Sequence, residues 1–154
     1  MIKRMMALAG LSLCLLAPAM AQVQASDAWV RATVAQQKAT GAFLRLQSVH
    51  DARLVEVRCS VAGISEIHEM SMEGSTMKMH AIDGVDLPAG QWVEFKPGAQ
   101  HLMLMQLSRQ LKPGDKLPLQ LLIEDKKSHK RETVEVQAEV RAMQMGQGTS
   151  ASPH

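Results

Sequence analysis

The 154 residues carry 17 lysines and arginines against 15 aspartates and glutamates, with 12 methionines, no tyrosine and two cysteines. That length suits one domain with a sizeable core. The near balance of charge speaks against a nucleic-acid surface, and two cysteines are too few for a disulfide scaffold.

The chain begins with Lys3 and Arg4, an apolar stretch from Met5 to Leu16 and the small-x-small run Ala19-Met20-Ala21. This is the plan of a secretory leader, so residues 1–21 are read as a signal peptide cut after Ala21, with Ala25 as the alternative. The expected location is the periplasm. The apolar stretch is too short to span a bilayer and no stop-transfer pattern follows, so no stable membrane insertion of the mature form is expected. Cys14 lies within it, but Leu13 is too large for the residue before a lipoprotein cysteine, which argues against a lipid anchor. Loss of the leader removes Lys3 and Arg4, so 15 basic residues then face 15 acidic ones. It also leaves Cys59 alone, without a partner for an internal disulfide.

Beyond the leader, alternating or β-branched runs between Gly, Pro, Asp and Ser predict strands near 28–34, 41–48, 54–60, 64–72, 76–82, 91–95, 101–107, 117–124 and 132–140. Turns are expected at Glu73-Gly74, Leu87-Pro88-Ala89-Gly90, Lys96-Pro97-Gly98 and Lys112-Pro113-Gly114-Asp115. No segment keeps a helical period, and many short strands at this spacing suggest a β-sandwich or barrel. The domain is placed at 26–141, followed by a flexible tail, 142–154, with Met143, Met145 and His154. Aromatic bulk comes only from Trp29, Trp92, Phe43 and Phe95, with the two tryptophans expected as core anchors. Leu, Val, Ile and Met must fill the rest, so core filling is the plain reading of any methionine here.

Against that reading stands the distribution of soft donors: His68, Met70, Met72, Met77, Met79 and His80, then His101, Met103 and Met105. In a strand, residues two apart share a face about 6.5–7 Å apart. His101, Met103 and Met105 therefore share one face, while Leu102 and Leu104 point to the core. A two-residue loop at Glu73-Gly74 would set His68 opposite Met79 and Met70 opposite Met77, with Lys78 and His80 on the other face. Four ligands follow: His68 and Met79 from a hairpin, His101 and Met103 from a distant strand. Two imidazoles and two thioethers, all neutral and without thiolate, suit Cu(I) in an oxidising compartment. Met70, Met72, Met77 and Met105 are read as core or rim packing, His50 and His129 as loop residues, and Cys59 as a buried strand residue.

The pattern resembles the PCuAC-type periplasmic copper chaperones, whose motif is a His, ten residues, a Met, twenty-one residues, then His-x-Met. His68, Met79, His101 and Met103 meet those spacings. The flanking text agrees: Glu66-Ile67-His68-Glu69-Met70, Gly90, Pro97-Gly98-Ala99-Gln100-His101-Leu102-Met103-Leu104-Met105, Leu111 and Gly114. The likeness runs from Trp29 to Val140. Ala99 replaces the family's usual second glycine, and residues 47–54 lack its Asn-x-Gly turn. The resemblance implies an all-β, cupredoxin-like Greek-key sandwich that carries Cu(I) to the dinuclear copper centre of cytochrome c oxidase. The implied partner is a copper-accepting oxidase subunit or assembly chaperone. The carrier would be a monomer, a metal-bridged dimer being the alternative, with weak Cu(II) binding by the tail.

Copper buffering or resistance, without a dedicated acceptor, is the competing function. No enzyme is expected. A blue-copper carrier needs a cysteine ligand, a thiol–disulfide reductase normally needs Cys-x-x-Cys, and no nucleophile–base pair stands at telling spacing.

Overall fold

The computed structural model describes residues 22–142. The expected leader, 1–21, and the tail from Met143 onward lie outside the described residues. Ten strands follow in order: β1 Val23–Arg31, β2 Ala39–Ser48, β3 Ala52–Cys59, β4 Ala62–Glu73, β5 Thr76–Ile82, β6 Val85–Leu87, β7 Trp92–Phe95, β8 His101–Leu107, β9 Lys116–Asp125 and β10 Arg131–Arg141. Among the described residues every regular element is a strand. The fold is the expected all-β sandwich.

The strands form one hydrogen-bonded path, β5-β4-β8-β2-β1-β10-β9-β3-β6, and β7 also pairs with β2. β2 is shared along one edge: Ala39 to Ala42 pair with β8, and Leu44 to Gln47 with β7. The path folds over itself, so β3 packs near β4. Between the two layers lies a core of Leu, Val and Ile, including Leu44, Leu46, Leu54, Leu87, Leu119, Leu121 and Ile123, with Phe95 as its large ring. β9 shows the logic: Leu117, Leu119, Leu121 and Ile123 alternate inward with half-buried or exposed neighbours.

Three features depart from the sequence reading. β1 begins at Val23, so its ladder to β2 (Val23 with Ser48, Gln24 with Gln47, Ala25 with Leu46) precedes the expected domain start at 26. A cut after Ala25 would remove those three pairs. The alternation in β1 was obscured by a bulge between Ser26 and Trp29, where Asp27 takes a φ of 52°. β6 has only three residues, too few to show a period. Neither tryptophan is a core anchor: Trp29 is half-buried and packs on Phe43 outside the leucine core, while Trp92 is 40% exposed with the Arg45 guanidinium 4.9 Å from its ring centroid.

Leu102 and Leu104 are fully buried, between half-buried Met103 and Met105. Replacing either leucine with alanine should lower the unfolding free energy by about 2–5 kcal/mol in denaturant titration. Met103→Ala, on the other face of the same strand, should cost clearly less.

Candidate metal centre

β8 lies between β4 and β2, and its pairings bring the donors together. His101 is directly opposite His68 on β4, and Met103 stands between Glu66 on β4 and Gly41 on β2. These side chains share the face opposite the leucine core. His68 and His101 are 8% and 7% exposed, so both imidazoles are sunk into the sheet surface. Their ring centroids are 5.9 Å apart. One ion with metal–nitrogen bonds of about 2 Å can bridge that gap.

The β4–β5 hairpin has a different register from the one expected. Its loop is Gly74-Ser75 rather than Glu73-Gly74: Glu73 pairs with Thr76, and Gly74 takes a left-handed φ of 65°. Hence His68 faces Ala81, Met70 faces Met79 and Met72 faces Met77. The shift is two residues, so each side chain keeps its face. Met79 is now diagonal to His68, within reach of a long side chain. It extends across β4, and its Sδ comes within 3.2 Å of His101 Nε2.

Hydrogen bonds set which nitrogen of each neutral ring is free. The Ala99 carbonyl can only accept, so His101 Nδ1–H donates to it at 2.9 Å. His101 Nε2 then carries the lone pair that faces the Met79 sulfur. The Glu66 carboxylate accepts from His68 Nε2–H at 2.7 Å. His68 Nδ1 is left as the lone-pair atom, buried and without a partner. An orphaned buried acceptor costs about 1–3 kcal/mol, which a coordinated cation would relieve. Likewise, two lone pairs facing each other at 3.2 Å attract only when a proton or a metal ion lies between them.

Met79, His101 and Met103 line one concavity of about 320 Å³, together with Gly41, Phe43 and Pro97. His68 sits beside this space, against the His101 ring. Phe43 is the inner wall, with its ring 4.5 Å from Trp29 and 6.2 Å from His101. Gly41 makes room for it: a Cβ there would come within 2.8 Å of the Phe43 ring. A larger concavity of about 750 Å³ lies at the far end of β2, lined by mixed charges including Asp51, Asp125, Lys127 and Arg131, and holds no thioether. Among the described residues no group of three or more His, Cys, Asp or Glu side chains could hold a metal ion. The soft atoms nearest these histidines are the Met79 and Met103 thioethers, which line the same cavity as His101.

His80 lies on the opposite face, where its Nε2 meets Glu69 at 2.9 Å. His50 and His129 are exposed and outside the cluster. Cys59 ends β3, buried opposite Leu119 of β9, and burial pushes its thiol pKa up. A thiol so placed is a poor nucleophile and lines no part of the donor cavity.

The LpqE-like family model matches residues 23–150. The chain belongs to the LpqE-like family. A protein of Leifsonia xyli subsp. xyli named "Putative lipoprotein Lxx21020" is 31% identical over 104 residues, covering 67% of this chain and 63% of the relative. The chain thus spans less than two thirds of that relative's length. Among solved structures, the apo PCuAC domain from PmoF1 superposes with a TM-score of 0.63 at 19% identity, covering 80% of this chain and 96% of that one. The solution structure of CuI-DR1885 from Deinococcus radiodurans gives a TM-score of 0.53 at 25% identity, covering 76% of each chain. This LpqE-like chain therefore has the PCuAC domain fold.

Sequence reading of this LpqE-like chain overlooked Glu66 as a working residue. The available signal was its position: two residues before His68, it shares the same strand face. Its carboxylate holds the His68 ring by Nε2 and directs Nδ1 elsewhere, as acceptors beside metal-binding histidines commonly do. Long-range ¹H–¹⁵N spectra at neutral pH should show His101 as the Nδ1–H tautomer and His68 as the Nε2–H tautomer. In Glu66→Ala, His68 should lose that tautomer preference while His101 keeps its own.

Proposed function

We propose that this protein is an exported Cu(I) carrier of the periplasm, a metallochaperone that binds copper through His68, Met79, His101 and Met103. The observation that carries this reading is the 3.2 Å approach of His101 Nε2 and Met79 Sδ, two soft donor atoms converging on one point. The unpartnered Nδ1 of His68 and the place of Met103 in the same cavity support it. Solved relatives include a Cu(I)-labelled form. The set offers no thiolate to be oxidised. Its one nearby carboxylate is engaged with His68, so hard divalent ions gain little from it. Soft monovalent copper is the best match.

Transfer follows from the layering of the site. The imidazoles are buried, whereas Met79 is 47% exposed. An acceptor's ligand can displace the outer thioether first and the histidines afterwards, so the ion is never released as a free species. We assign the acceptor to the copper centre of cytochrome c oxidase or to one of its assembly factors. The leader-like residues 1–21 support export, and the relative named as a lipoprotein fits the same side of the membrane.

Chelator competition should show one tight Cu(I) equivalent, with X-ray absorption counting two nitrogen and two sulfur ligands. His101→Ala and Met103→Ala should each weaken binding by about tenfold or more, 1.4 kcal/mol per decade, with the fold retained. Unchanged affinity in both variants would sink the ligand assignment. In a deletion strain, oxidase activity that falls and returns with added copper supports delivery. Copper sensitivity with normal oxidase points to buffering instead.

A further inference from the structure

Beyond the histidines, the β4–β5 hairpin runs out to the edge of the sheet. β5 is the terminal strand, and six of its seven residues are exposed. The two faces of this hairpin differ sharply. One carries polar and charged groups: Glu69 pairs with His80 at 2.9 Å and Glu73 with Lys78 at 2.7 Å, with Ser71 between. The other carries Met70 opposite Met79 and Met72 opposite Met77. Met72 and Met77 are 59% and 48% exposed. Of the seven exposed large apolar side chains among the described residues, three are the thioethers of this one face.

Directly opposed side chains on one face have Cβ atoms about 4.5–5.5 Å apart, and successive pairs lie about 7 Å apart. Methionine has three flexible bonds and a polarizable sulfur, so neighbouring thioethers on such a ladder can converge. No branched or aromatic side chain interrupts the ladder, and the nearest charge on its face, Glu66, is engaged with His68 at 2.7 Å. We infer that Met70, Met72 and Met77 form a second, outer site for a soft monovalent cation, Cu(I) in its natural setting. A neutral thioether trio offers nothing to hard divalent ions. It also lacks the buried imidazoles of the inner centre, so it binds more weakly.

Met79 links the two positions. It lies opposite Met70 and its sulfur reaches His101. Copper entering at the hairpin tip can exchange thioethers one at a time, staying Cu(I) throughout, until it meets the histidines. This relay role rests on the Cu(I)-carrier reading above; the existence of the outer site does not.

The test is an Ag(I) titration of the purified protein with ¹³C-methyl-labelled methionine, read by NMR. The first equivalent should move the Met79 and Met103 methyls, and a second, weaker one those of Met70, Met72 and Met77. Met72→Leu/Met77→Leu, volume-conserving and exposed, should lose the second equivalent and keep the first. Any contribution from Met143 and Met145 is common to both proteins and cancels in the comparison. His101→Ala/Met103→Ala should lose the first while the hairpin methyls still shift. The outer site is overturned if those methyls stay still through added equivalents, or if the leucine variant retains its second equivalent. Hairpin shifts in wild type without inner shifts would overturn the carrier reading and leave the outer site standing.

Discussion

The alternation of β8 is the constraint on which the rest of the site depends. Leu102 and Leu104 are fully buried beneath the sheet, so His101, Met103 and Met105 must point away from the core. A slip of one residue would put two leucines on the surface and an imidazole in the interior. The same burial that stabilises the domain therefore aims the donors. Because β8 is held on both sides, by β4 and β2, the aim is rigid.

Rigidity at the base contrasts with freedom at the rim. The histidines are buried and each is held through one nitrogen, by Glu66 or by the Ala99 carbonyl, leaving the other for a ligand. Ala99 contributes its backbone, which explains why the absence of the family's usual glycine leaves this contact intact. Phe43 and Trp29 close the inner wall, with Gly41 as the gap that admits the ring. Met103 shares the rigid β8, whereas Met79 sits outside this frame on an edge hairpin. Fixed nitrogens beside flexible thioethers are what the proposed carrier needs to hold an ion and surrender it stepwise.

Much of the fold was legible because its strands obey the period of two over seven or more residues. β5 and β8 match their expected limits residue for residue. β6 was invisible because three residues carry no period, and the start of β1 was hidden by the bulge at Asp27. Trp92 was misjudged because hydrophobicity alone cannot distinguish a core ring from one stacked under an arginine at the surface. The face of every candidate donor was readable, including the exclusion of His80, since face follows from local alternation.

The sequence by itself determined which side chains carry soft donor atoms and which face of its strand each occupies, because both are local properties of residue type and strand phase. Only the tertiary structure decided which donors meet. The hairpin loop at Gly74-Ser75 set Met79 opposite Met70 instead of His68, and a left-handed glycine there could not be told from its neighbours in the text. Placing His101 across from the distant His68 required the β4–β8 pairing. Reserving Nδ1 of one ring and Nε2 of the other required Glu66 and the Ala99 carbonyl to be in place. Register and hydrogen-bond partners are long-range choices, settled by the packing of the whole sheet.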